Sequence, residues 1–189
     1  GKSAGGGVAA TVERMIASIG AGVKRIKELQ RAGHNIEGIA FTNMGDPFEG
    51  CDGNYASQLF TVEITQRQQL LLGIDLFAKA ITTLAPLTPQ LDVIGVLCNH
   101  GEWMRRGGKQ VTSDSDNSGG FLLDALYRIL DGHVPNLKWT IPHDEMVTTK
   151  VLSDVNVAFA HGHKMSGKKV DWFNAQSIKV LREEGREPD

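Results

Sequence analysis

The sequence predicts an α/β domain built in layers, α/β or α/β/α. Three observations carry this. Short apolar runs of strand length alternate with long stretches whose apolar residues recur at three- and four-residue spacing. Three of these apolar runs end in a short polar motif. Near the C-terminus two β-like runs flank Ser153-Asp154, the pattern of a hairpin.

In order, a glycine-rich opening, Gly1 to Gly7, reads as loop, and residues 8–32 read as a helix. Val8, Val12, Met15, Ile16, Ile19, Val23, Ile26 and Leu29 form one stripe, and Gly33 stops it. Residues 38–42 make a short buried strand. A second helix is expected over 62–84, with Leu70, Leu71, Ile74, Phe77, Ile81 and Leu84 on its buried side and Pro86 and Pro89 beyond it. Residues 93–98 read as the next strand, and 105–119, rich in Gly, Ser, Asp and Lys, as a long loop. Phe121, Leu122, Ala125, Leu126 and Ile129 mark a third helix. Strands follow over 137–141, 146–152 and 155–160, and an amphipathic helix over 170–184.

Composition narrows the function classes. At 189 residues the chain is expected to be one domain, 1–189, large enough to bury a core without disulfide staples. A formal net charge of −2 argues against a strongly basic nucleic-acid binder. Cys51 and Cys98 suggest no disulfide framework, so a reducing, cytoplasmic compartment is expected. No apolar run is read as reaching the ~18–20 residues that span a bilayer, and no membrane partner is expected.

The chemistry concentrates in three motifs: Gly45-Asp46-Pro47-Phe48-Glu49, Cys98-Asn99-His100-Gly101-Glu102, and Ala160-His161-Gly162-His163. Oxygen and imidazole ligands delivered from strand ends are what a metal-dependent hydrolase needs. Asp46, just past a strand, can offer two oxygens to cations. Asn99 offers a carbonyl oxygen. His100 is placed to protonate a leaving alkoxide, with Glu102 to orient its ring. His161 is a metal-ligand candidate, and His163 and Glu49 are candidates for metal or substrate. Arg105 and Arg106 could bind phosphate. His34, His133 and His143 sit in turn-like contexts and read as surface residues.

In order and character these motifs resemble the calcineurin-like metallophosphoesterases. That family runs Asp-x-His, Gly-Asp-x-x-(Asp/Glu/Asn), Gly-Asn-His-(Asp/Glu), a His after a strand, and Gly-His-x-His. The resemblance covers the second, third and fourth motifs, from about residue 38 to 163. It implies an α/β/α fold with a β-sandwich flanked by helices, that Asp46 bridges metals, that Asn99 and His161 ligate, and that His100 is catalytic. It implies two divalent ions, manganese, iron or zinc, in the intact enzyme. The substrates would be phosphomonoesters or phosphodiesters, including nucleotides or nucleic acid.

The sequence departs from the pattern in Cys98, where a glycine is usual, and in Gly101, interposed before the acid. The first and fifth motifs are not found in it. The expectation is therefore a domain truncated at both ends, weak or inactive alone, whose intact parent hydrolyses phosphoesters. Two alternatives stand beside it. One is a non-catalytic scaffold or interaction domain of the same fold. The other, less favoured, is a nucleotide-binding module built on Gly1-Lys2-Ser3.

Overall fold

The computed structural model describes residues 6–50, 60–103, 105–106, 109–145, 147–185 and 188–189; the side chains at 105, 106, 109, 110 and 184 lie outside that description. The elements run α1 (Gly7–Arg31), β1 (Ile39–Asn43), α2 (Gln66–Leu84), a 3-10 turn (Ala85–Leu87), β2 (Leu91–Gly95), β3 (Arg105–Arg106), β4 (Lys109–Gln110), α3 (Ser118–Leu130), β5 (Leu137–Thr140), β6 (Thr148–Leu152), β7 (Val155–Phe159) and α4 (Lys169–Glu184). The fold is mixed α/β. A parallel three-stranded sheet has the order β1-β2-β5, and two antiparallel ribbons, β3-β4 and β6-β7, stand apart from it.

The alternation of side chains along β2 explains the layers. Leu91 and Val93 join Leu137 of β5 in a core with Ile81 and Leu84 of α2 and Leu122, Leu123, Leu126 and Leu130 of α3. Asp92, between them, points to the opposite face, where Lys150 of β6 meets it. Helices therefore cover one face, and the β6-β7 hairpin lies against the other. Val23 and Ile26 of α1 touch the core, yet no residue of α1 is fully buried. Among the described residues, β1 pairs only with β2, so its outer edge is unpaired.

Several boundaries differ from the sequence expectation for local reasons. The second helix begins at Gln66, because Thr65 and Gln68 form a reciprocal capping box that stops it there. The strand expected over 93–98 ends at Gly95, since β1 ends opposite it at Asn43. Val96 to Cys98 continue buried but outside the ladder, apart from Val96 N–H donating to the Asn43 carbonyl. The expected loop 105–119 carries the β3-β4 ribbon and the start of α3, capped by Asn117. Residues 66–87 are long and apolar enough, by length and composition, to cross a membrane, contrary to the sequence expectation of no such run. Here Ala80, Ile81 and Leu84 of that segment face the protein core.

Leu122 is wholly enclosed between α3 and the sheet. Replacing it by Ala is expected to lower unfolding free energy by about 2–5 kcal/mol in urea titrations, without changing the far-ultraviolet spectrum.

Candidate metal centre

Parallel pairing of β1 and β2 puts the turns after both strands on one edge of the sheet. After β1 the chain reverses through two left-handed residues, Gly45 (φ 102°) and Asp46 (φ 48°), while the Asn43 side-chain oxygen accepts from Gly45 N–H. A Cβ at residue 45 would lie 2.4 Å from His161 Nδ1, so the backbone approaches that ring as closely as only glycine permits. Asp46 tolerates its positive φ better than most residues, and strain of this kind concentrates at working sites.

After β2 the segment Cys98–Glu102 is anchored from α3. Asn117, fully buried, accepts from Gly119 N–H as the helix cap and donates to the Cys98 carbonyl at 2.8 Å. Ser118 N–H donates to the Gly101 carbonyl at 2.7 Å. A Cβ at residue 101 would meet Asn117 Oδ1 at 2.3 Å, so the interposed glycine is what lets the loop close on its anchor.

The third segment follows β7. His161 Nδ1 lies 3.1 Å from the Met44 carbonyl, which makes that nitrogen the donor. Its Nε2 lies 3.1 Å from Asn99 Oδ1 and 3.2 Å from Asp46 Oδ2. Asp46, Asn99 and His161 therefore converge on one point. With the ring neutral and Nδ1 protonated, the Nε2 lone pair faces two oxygen lone pairs with no proton between them. A protonated ring or a cation relieves that opposition. His161 and Asp46 side chains keep 21% and 37% of their exposure, so the point is open to solvent on one side.

The other candidates fall on either side of this centre. His100 Nδ1 contacts Glu49 Oε1 at 2.9 Å. The orienting role expected of Glu102 thus falls to Glu49, which in turn is held by Gln69 Oε1 accepting from its backbone N–H at 2.8 Å. Gly101 carries Glu102 away: its carboxylate is buried, 3.9 Å from Nε2 of His163, whose ring centre is 5.4 Å from that of His161. Burial pushes the His163 imidazole down to about 4, and the nearby charges of His161 and Lys164 act the same way. Burial likewise pushes the Cys98 thiol up to about 12, beside Asp46, so this cysteine is a neutral packing group rather than a nucleophile.

A cavity of about 860 Å³ opens beside the centre. Asp46, Glu49 and His100 line it together with Val8, Val12 and Met15 of α1 and Leu72, Leu76 and Phe77 of α2. His34, His133 and His143 are exposed, as expected. Gly1, Lys2, Ser3 and Cys51, and the side chains of Arg105 and Arg106, lie outside the described residues. Sequence reasoning passed over Asn117, although an Asn ahead of Ser-Gly-Gly and an apolar run is a helix-start signal. It also passed over the Met44 carbonyl, which no side-chain motif can announce.

Among the described residues no group of three or more His, Cys, Asp or Glu is arranged to hold a metal; the convergent trio contains two of those types and an amide. The chain matches no family model, no curated protein and no solved structure.

Asn117→Ala removes a cap and leaves the buried Cys98 carbonyl without its donor. It is expected to cost about 1–3 kcal/mol in urea unfolding. His163, facing His161, Lys164, Asp114, Asp46 and Glu102, gives a pH signature. Its folded value lies below its ordinary 6.5, so between pH 6.5 and 4 the unfolded chain binds a proton that the folded chain resists. Stability is therefore lost as pH falls through that window and is unaffected by this group above it. In urea midpoints measured from pH 7 to 4, His163→Gln should show a shallower decline than the parent.

Proposed function

We propose that this chain is part of a metal-dependent phosphoester hydrolase. Asp46, Asn99 and His161 would hold a divalent cation. The observation that carries the reading is the opposition at His161 Nε2, where two oxygen acceptors at 3.1 and 3.2 Å face an imidazole whose other nitrogen is turned to a backbone carbonyl. A ligating histidine commonly donates its second N–H in this way. The donor set of carboxylate, amide oxygen and imidazole suits manganese, iron or zinc. A divalent ion held there would supply Lewis acidity toward a phosphoryl oxygen and toward water.

The chain's own residues supply the rest. His100 lines the cavity with Glu49 against its Nδ1, and its imidazole would pass a proton to the departing alkoxide. The Cys98 thiol, kept neutral, adds no charge beside Asp46. Phosphomonoesters or phosphodiesters, including nucleotides or nucleic acid, are the proposed substrates, and the cytoplasm the proposed compartment.

We further propose that the intact protein adds a strand to the outer edge of β1 and, with it, more ligands and a second metal. Two features support this. The edge is unpaired among the described residues, and the apolar wall of α1 borders a cavity instead of a packed core. The metallophosphoesterase β-sandwich belongs to the same proposal.

Manganese binding to this chain, followed by electron paramagnetic resonance, should give one site that Asp46→Ala or His161→Ala weakens at least about tenfold. In the longer protein, His100→Ala should lower kcat on an aryl phosphodiester by roughly 10²–10⁴ and leave manganese affinity intact. Manganese affinity indifferent to Asp46 and His161 would overturn the reading.

A further inference from the structure

We propose that Asp92 and Lys150 are positioning residues: their ion pair sets the register in which the β6-β7 hairpin lies on the sheet, and so where His161 meets Asp46 and Asn99. This rests on the metal-centre reading above.

The hairpin shares no backbone ladder with β1-β2-β5 among the described residues, so strand pairing does not fix its place. Side chains from β6 supply the cross-links. Thr148 Oγ1 donates to the Gly95 carbonyl at 2.9 Å, and Lys150 Nζ lies 2.7 Å from Asp92 Oδ1. The second contact is an ion pair rather than an aligned hydrogen bond. Gln90 Nε2 donates to the other oxygen, Asp92 Oδ2, at 2.8 Å.

Asp92 is 3% exposed on a strand otherwise built of Leu, Val, Ile and Gly. A buried carboxylate is a costly choice where an apolar side chain would pack, and its best-attested use is to specify one arrangement among several. Thr148 and Lys150 are two apart on β6 and share a face. A slip of one residue would turn Lys150 away and bring Thr149 or Val151 opposite Asp92. Within the hairpin Lys150 pairs with Val157, and the chain after β7 runs directly to His161. A one-residue slip moves that chain by roughly 3.3 Å, as far as the contacts His161 makes.

The test separates position from stability. In the double variant Asp92→Leu/Lys150→Leu, an apolar pair replaces the ionic one, a change that is often neutral or stabilising. Lys150→Arg keeps the charge, and Lys150→Gln gives the comparison if the double variant does not fold. Two readouts are taken on the folded chain: manganese(II) affinity, and metal-free imidazole nitrogen shifts of His161 by NMR. The double variant should unfold at or above the parent's temperature, bind manganese about tenfold more weakly, and show moved His161 signals. Lys150→Arg should retain the parent's affinity and shifts. A folded double variant with the parent's affinity and shifts overturns the proposal. A parent that binds no manganese overturns the metal reading alone, and the imidazole shifts then decide the positioning role.

Discussion

Much of this structure follows from the orientation of one imidazole. The Met44 carbonyl accepts a hydrogen bond from His161 Nδ1–H, and this turns the other nitrogen's lone pair toward Asn99 and Asp46. Three electron-rich atoms then share one point at hydrogen-bond distance. The surrounding fold keeps them there. Two parallel strands end at one edge, a left-handed Gly45-Asp46 turn brings a carboxylate back over it, and a buried asparagine ties the second loop to a helix. Each device is local, and the convergence is not.

The groups around the centre divide by burial. Cys98, Glu102 and His163 lie inside, where water is scarce and the two shifted groups keep their neutral forms. His100 and Glu49 are partly exposed and line the cavity beside α1 and α2. Cys98 and His163 can shape the centre without exchanging protons near neutral pH, whereas the outer pair can reach a solvent-borne substrate. One glycine makes the division: Gly101 lets the loop close on Asn117 and sends Glu102 inward, leaving His100 to a carboxylate from the other motif.

Much of this was legible in the residues. Period and punctuation located the four long helices and the parallel strands to within a few positions, because apolar stripes and Gly or Pro stops are local signals. Asp46, Asn99 and His161 were legible as a set because strand-end polar motifs are rare enough to notice together. The Glu49–His100 pair was not, since nearest neighbours in sequence favoured Glu102 and only the folded loop reveals which acid is close. Lys150 was illegible for a different reason. A lysine in a hairpin reads as solvent-facing, and only Asp92, itself hidden in an apolar strand, gives it a partner. The strand expected to reach Cys98 failed at Gly95 because ladder length depends on the neighbouring strand and not on the run's own hydrophobicity.

The spacing of the convergent trio bears on the order of events during synthesis. Asn99 and His161 are 62 residues apart, and the hairpin that carries the histidine to the sheet stands between them. A ribosome-bound chain that has exposed both early motifs still lacks the imidazole. Of the convergent trio it can offer an ion one carboxylate and one amide, without the imidazole. A cation held by all three groups would be captured only once the β6-β7 hairpin has docked, so its capture would follow that docking and would not drive it.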